Sequence, residues 1–382
     1  MRYSLAFTAF AGLVAAAPSP QVFDFNLIQD APSPTATAPP LTAVSDMITV
    51  SPAEASSAAS AAVTAVQTGV AKMKRGAASS TGTATTSSTS SCPTTPEAGT
   101  YCGFINPEDA CAKQPDGYGP VPTPDTVAAF QSYPEWAKDA LSAKTPSGYA
   151  QTFKNLNASV SANSYLGLIT LHSYDTLGCS QWCDNTTLCT GFNIYVERDP
   201  ALNPSDNCPL PASISNYKCT LWGSGVEASA ATNFGDYRGQ FQVVIAGSDG
   251  YEKTNTTVPA TPPGCSKPTK CPGGAVNNPS SCIGTQFFPG PFNVALCADY
   301  AKFTNLYNRM HSSSSSSFSS RRKPYPQCRS FNAYMIKRDG KAQGTYCSLF
   351  EDVVDAAVGR YQPGWMSRHF WGVESSCVVS LL

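Results

Sequence analysis

The spacing of apolar residues changes several times along the chain, and each change marks a different kind of segment. Leu5 to Val14 is a short apolar run behind Arg2, followed by Ala15, Ala16 and Ala17. That layout reads as a secretory signal peptide over 1–16, because Pro18 favours a cut after Ala16. The run falls short of the roughly 20 apolar residues a membrane span needs. Residues 18–50 are rich in Pro, Ala and Thr and show no useful period. A helical period then begins. Ser51 and Glu54 form a capping-box pair with Pro52 at the first helical position, and Val63, Val66, Val70 and Met73 follow at 3-4-3 spacing. Lys72, Lys74 and Arg75 suit a helix C-terminus and Gly76 can stop it. The pattern predicts an amphipathic helix over 52–75. Lys74-Arg75 resembles the dibasic site of kexin-type proteases, so 17–75 reads as a propeptide. Residues 76–100 read as a linker: 76–91 holds eleven Ser or Thr in sixteen positions, which cannot build a core and suits O-glycosylation.

Beyond the linker, four segments recur in one order. CTGFNIYVERD from Cys189 matches CRSFNAYMIKRD from Cys328, with Phe192, Asn193 and Tyr195 in register with Phe331, Asn332 and Tyr334. Upstream, YDTLGCSQWC around Cys179 matches FNVALCADYA around Cys297. Downstream, CTLWG from Cys219 matches CSLFE from Cys347, and QFQVVIAGS lies opposite HFWGVESS. Recurrence in the same order implies an internal duplication.

Each copy predicts the same elements. An apolar stretch comes first (SYLGLITLHSY, then TQFFPGPF) and a helix follows. In the first copy Asp175 is a good N-cap, and Cys179 and Cys183 at i, i+4 share one helical face. Alternating strands come next, with Asp339-Gly340 as a hairpin turn in the second copy. The predicted class is α+β: two small modules, each an antiparallel sheet with one packed helix, after a disordered N-terminal region. One module with an N-terminal extension occupies 101–258, and the other 259–382.

A helix with C-x-x-x-C, then C-x-x-F-x-x-Y on a strand, then C-x-L-W on the next, resembles the PAN/apple domain. The tandem arrangement and the VVIAGSDGY ending resemble a group of secreted fungal proteins with paired PAN/apple-like modules, whose functions are largely unknown. The resemblance covers about 165–250 and 283–380. It implies that the helix cysteines reach the strands, pairing Cys179 with Cys219, Cys183 with Cys189, and Cys297 with Cys347. Ala301 stands where the second copy should carry its second helix cysteine, which leaves Cys328 without that partner. Cys282 is the substitute nearest in sequence. Cys92, Cys102, Cys111, Cys208, Cys265 and Cys271 stay unassigned. Fifteen cysteines is an odd number, and Cys377 is the candidate for an unpaired thiol or a bridge between two chains.

Composition narrows the function. The 382 residues carry 25 Lys and Arg against 26 Asp and Glu, a net charge of −1. Nucleic-acid binding and polybasic membrane attachment both need a basic field, so both are excluded. No apolar run of spanning length follows the signal. The three His make a His-based metal centre unpromising, and no cofactor is expected. No nucleophile elbow, zinc helix or phosphate loop is present. His172 sits in an apolar run and reads as structural. Glu197 with Asp199, and Glu351, Asp352 and Asp355, follow strands and read as solvated loop charges. The insertion from His311 to Gln327 is a Ser run with Arg321, Arg322 and Lys323, and reads as a solvated loop. Asn157, Asn185 and Asn255 stand in N-glycosylation sequons, whereas Asn203 and Asn278 precede Pro.

These readings point to a secreted or wall-associated, non-enzymatic protein that binds an extracellular protein or polysaccharide. Trp182, Trp222, Tyr237 and Trp371 are the candidate contacts, since aromatic rings anchor protein interfaces and stack on sugars. The alternatives are a hydrolase with an unfamiliar site, for which 101–165 is the candidate region, and a structural wall protein.

Overall fold

The computed structural model describes residues 23–29, 45–47, 52–67, 108–255, 258–312 and 325–382. The signal region, Ser51, Lys74, Arg75, Cys92, Cys102 and the basic part of the Ser-rich insertion lie outside the described residues.

Two six-stranded antiparallel sheets dominate, giving an α+β fold. The first is built from β1 (Ser45–Met47), β2 (Tyr149–Leu156), β3 (Tyr165–Leu171), β4 (Gly191–Pro200), β5 (Ser213–Trp222) and β6 (Val244–Lys253) in the order β1-β3-β5-β4-β6-β2. The second is built from β7 (Thr269–Lys270), β8 (Cys282–Pro289), β9 (Ser330–Arg338), β10 (Lys341–Phe350) and β12 (His369–Ser380) in the order β7-β12-β9-β10-β8, with β11 (Gly364–Met366) on β12. The run β3-β5-β4-β6 therefore matches β8-β10-β9-β12. β4 is buried along its whole length, as expected of a central strand covered on both faces.

Side chains repeat with the strands. In β4, Asn193 Nδ2 donates to Ser248 Oγ (2.9 Å) and Asp249 O (2.8 Å), and its Oδ1 accepts from Val160 N–H (2.9 Å). In β9, Asn332 Nδ2 donates to Ser376 Oγ (2.9 Å) and Cys377 O (2.8 Å), and its Oδ1 accepts from Val276 N–H (2.8 Å). Both networks close on a strand irregularity with a left-handed residue, Gly247 at φ 56° and Ser375 at φ 52°. An amide that saturates three buried groups explains why Phe-Asn recurs in the sequence.

A short helix, α2 (Pro134–Ser142), lies in the N-terminal extension, and each sheet carries a longer one. α3 (Thr176–Asn185) starts at Asp175, whose carboxylate accepts from Leu177 and Gly178 N–H at 3.0 Å each. α4 (Val294–Ser312) is longer, running into the segment read from sequence as insertion. Cys179 is bonded to Cys219, Cys183 to Cys189 and Cys297 to Cys347. A fourth bond, Cys111–Cys208, staples the N-terminal extension to the β4–β5 connection.

Cys282 and Cys328 are both free. Register gives the reason: β8 and β9 lie on opposite sides of β10, where Cys282 faces Phe350 from one side and Ser330 faces it from the other. Strands two apart are about 10 Å apart, beyond disulfide reach. Cys265, Cys271 and Cys377 are free and buried as well, so Cys377 is one of five free thiols among the described residues.

The described segments of the N-terminal region are ordered, which corrects the expectation of a disordered one. Asn26–Gln29 is a helical turn whose Ile28 is fully buried, β1 extends the first sheet, and α1 (Pro52–Gln67) buries Ala59, Ala62 and Val63. α1 packs on α4 in a core that also takes Phe153, Trp222 and Val226 from around the first sheet and Phe288, Met335 and Leu349 from the second. Apolar anchors hold these described segments of the Pro- and Ala-rich region in place.

Candidate functional site

The four aromatics singled out from sequence fall in different environments. Trp222 and Trp371 are buried, which corrects their reading as contact residues. Trp222 lies in the core the two sheets share and donates Nε1–H to Thr220 Oγ1 at 3.1 Å. Trp371 lies beneath Phe25, with Arg338 5.8 Å above its ring. Trp182 is half-buried beside the Cys183 core. Tyr237 is exposed, as is Phe234.

The carboxylates divide as well. Glu351, Asp352 and Asp355 are exposed. Glu197 and Asp199, read as loop charges, are instead buried within β4, on one face of the strand at i, i+2. Burial, and then the Asp199 charge, push the Glu197 carboxyl up to about 8, while Lys218 and Arg238 pull the other way. Arg238 lies 3.4 Å from Asp199, and Asn216 donates to Asp199 at 2.8 Å. A charge group closed off this way braces the first sheet; a substrate has no access to it.

The exposed chemistry is a hairpin missed at the sequence level. β11 and β12 join through Ser367 and Arg368, both left-handed (φ 47° and 72°), the two-residue turn that matches strand twist. Neither residue is Gly or Asn, so each carries a strain of order 1 kcal/mol. The turn sets Trp365 directly opposite Phe370, with the rings edge-to-face at 5.7 Å. Trp365 is 74% exposed and Phe370 45%. On the other face of the hairpin, Met366 and Trp371 pack inward.

Asp339, in the β9–β10 turn, holds the base of this hairpin. Its Oδ1 accepts from Phe370 N–H at 2.8 Å, its Oδ2 meets His369 Nδ1, and its own N–H donates to Phe370 O at 2.8 Å. Burial raises the Asp339 carboxyl, but the bonds from Phe370 and His369 outweigh it and hold the group below its ordinary value. Two features signal the site in the sequence: an Asp-Gly turn, and a Trp and a Phe placed symmetrically about Ser367-Arg368.

A shallow, open cleft lies between Asp139, Lys144, Tyr174 and Asp175. Asp175 is already committed to capping α3. His172 packs on Tyr118 with ring centroids 4.0 Å apart. Asn157, Asn185 and Asn255 are all exposed. Among the described residues no group of three or more His, Cys, Asp or Glu could hold a metal ion, and no helix is long and apolar enough to cross a membrane. Compared with family models, with curated proteins and with solved structures, the chain matches none.

Proposed function

We propose that this is a secreted, non-enzymatic binding protein built on two PAN/apple-like modules, which recognises an extracellular protein or polysaccharide through the Trp365–Phe370 hairpin. One observation carries the reading: two large aromatic rings stand exposed, locked against each other by a tight turn and an Asp339 clasp. Burying such rings from water on a partner is what makes aromatic anchors dominate binding energy. Strain held at an exposed turn fits a contact surface more readily than a purely structural edge. The repeated Asn-centred sheets and the helix-to-strand disulfides support the module assignment.

The test is a screen of the secreted chain on a glycan array, on insoluble wall polysaccharides and against extracellular protein fractions, repeated with Trp365→Ala and Phe370→Ala. Saturable binding that weakens about 30-fold or more in each variant, with unchanged thermal unfolding, is the expected result. Binding indifferent to both changes, or turnover of a panel substrate, overturns the reading.

A further inference from the structure

The two sheets differ most on the face opposite their disulfide-linked helix. In the first sheet that face carries Tyr195, Glu197 and Lys218. The register-equivalent positions of the second are Tyr334, Ile336 and Tyr346, joined by Phe287, Ala275 and Trp371 into one apolar surface. Residues 23–29 sit on it. Phe23 stacks on Tyr346 at 5.4 Å and 24°, Phe25 meets Trp371 edge-on at 5.7 Å and 90°, and Ile28 is fully buried.

The segment behaves as a ligand in form. Its backbone bonds close its own turn: Leu27 N–H donates to Asp24 O at 3.2 Å, and Ile28 and Gln29 N–H donate to Phe25 O at 3.1 and 3.0 Å. Asp24 N–H donates to the Tyr346 hydroxyl at 2.6 Å, anchoring it to the sheet. It adds no strand to the ladder, so side chains set in an apolar surface hold it, as in helix-in-groove recognition. It also lies N-terminal to the Lys74-Arg75 pair.

We propose that this face of the second sheet is a peptide-docking groove that residues 23–29 occupy as a built-in ligand. Its partner is a short segment of the same chemistry: two aromatic residues separated by one position, followed within one turn by Leu-Ile. The groove takes the inward face of the hairpin whose outward face carries Trp365 and Phe370, and the proposal stands whether or not that exposed pair binds anything.

The test keeps the full chain. A specific protease sequence replaces residues 33–39, and the chain is cut there after folding. A fluorescent peptide covering residues 20–31 is then titrated onto cut and uncut protein. The cut protein should bind it saturably and release its own fragment, with the uncut protein at least 30-fold weaker. Peptides with Phe23→Ala or Ile28→Ala should compete at least tenfold less well. Tyr346→Phe in the protein keeps the ring and removes the hydroxyl acceptor, so it should weaken binding several-fold with an unchanged fold. Equal binding to cut and uncut chains overturns the proposal, as does equal competition by the substituted peptides. A fragment that leaves only when the chain unfolds overturns it too, because the segment is then plain core.

Discussion

The two sheets share strand order, the Asn network and one helix-to-strand disulfide, yet they fix the start of their central strand differently. In the first sheet, Cys183 on α3 is bonded to Cys189, two residues before β4. In the second, the helix presents Ala301 at that position, and Cys328, two residues before β9, is free. The longer α4 supplies a replacement one turn on. Asn305 accepts from Cys328 N–H at 2.7 Å and donates to Cys328 O at 2.9 Å. A two-point amide clamp stands where the first sheet has a covalent staple, so the same place is held by different means. The part common to both copies is the buried amide in the middle of each strand.

The sharpest way to break the equivalence is to remove that amide from one sheet and then the other. Asn193→Ala and Asn332→Ala each leave a backbone N–H, a backbone C=O and a buried hydroxyl short of a partner, and the cost should be about 3 kcal/mol or more in each. Denaturant midpoints measured on both variants check this. Similar large losses support a shared architecture; a loss in one sheet and none in the other shows that the symmetry is only one of shape.

Much of the sheet core was legible because the duplicated residues are local. Phe192, Asn193 and Tyr195 recur within a few positions of a cysteine, and Asp339-Gly340 names its own turn. The parts that were not legible depend on distant contacts. Trp222 is buried because the other sheet packs against it, and Trp371 because residues 23–29, more than 300 positions earlier, cover it. The alternation within β4 gave no sign that Glu197 and Asp199 would be closed in, since charged residues at strand ends are usually solvated. The Trp365–Phe370 pair stands apart from the repeated cysteines, and the symmetry of the two rings about Ser367-Arg368 marks it in the sequence.

A smaller effect in the opposite direction should come from restoring the missing cysteine. Ala301→Cys places a thiol where Cys183 stands in the first sheet, facing the start of β9. Oxidised by an ordinary disulfide donor such as oxidised glutathione, it should join Cys328, with two thiol hydrogens lost and the donor reduced. Closing a loop of that size stabilises by up to about 3 kcal/mol. Peptide mapping without reduction should find the new bond, one fewer thiol should react with a maleimide in denaturant, and the unfolding midpoint should rise. A variant that keeps both thiols free after oxidation shows that α4 does not sit over β9 as α3 sits over β4.

The smallest expected effect concerns the one face on which the sheets differ in charge. Glu197 occupies the place of Ile336 and has its carboxyl pushed up to about 8, first by burial and then by Asp199. A carboxyl raised on folding binds its proton more tightly in the folded state, so the fold holds more protons than the unfolded chain between the unfolded value near 4.5 and about 8. Stability from this group is therefore highest at the acid end of that window and is lost as pH rises through it. Glu197→Gln keeps the shape and a hydrogen bond to Asp199 while removing the titration. Thermal unfolding of the parent should weaken between pH 5 and pH 8 by a few degrees more than that of the variant, and at pH 8 the variant should be the more stable of the two. Parallel curves would mean that Lys218 and Arg238 already balance both carboxylates, leaving the first sheet as indifferent to pH on this face as the apolar second sheet.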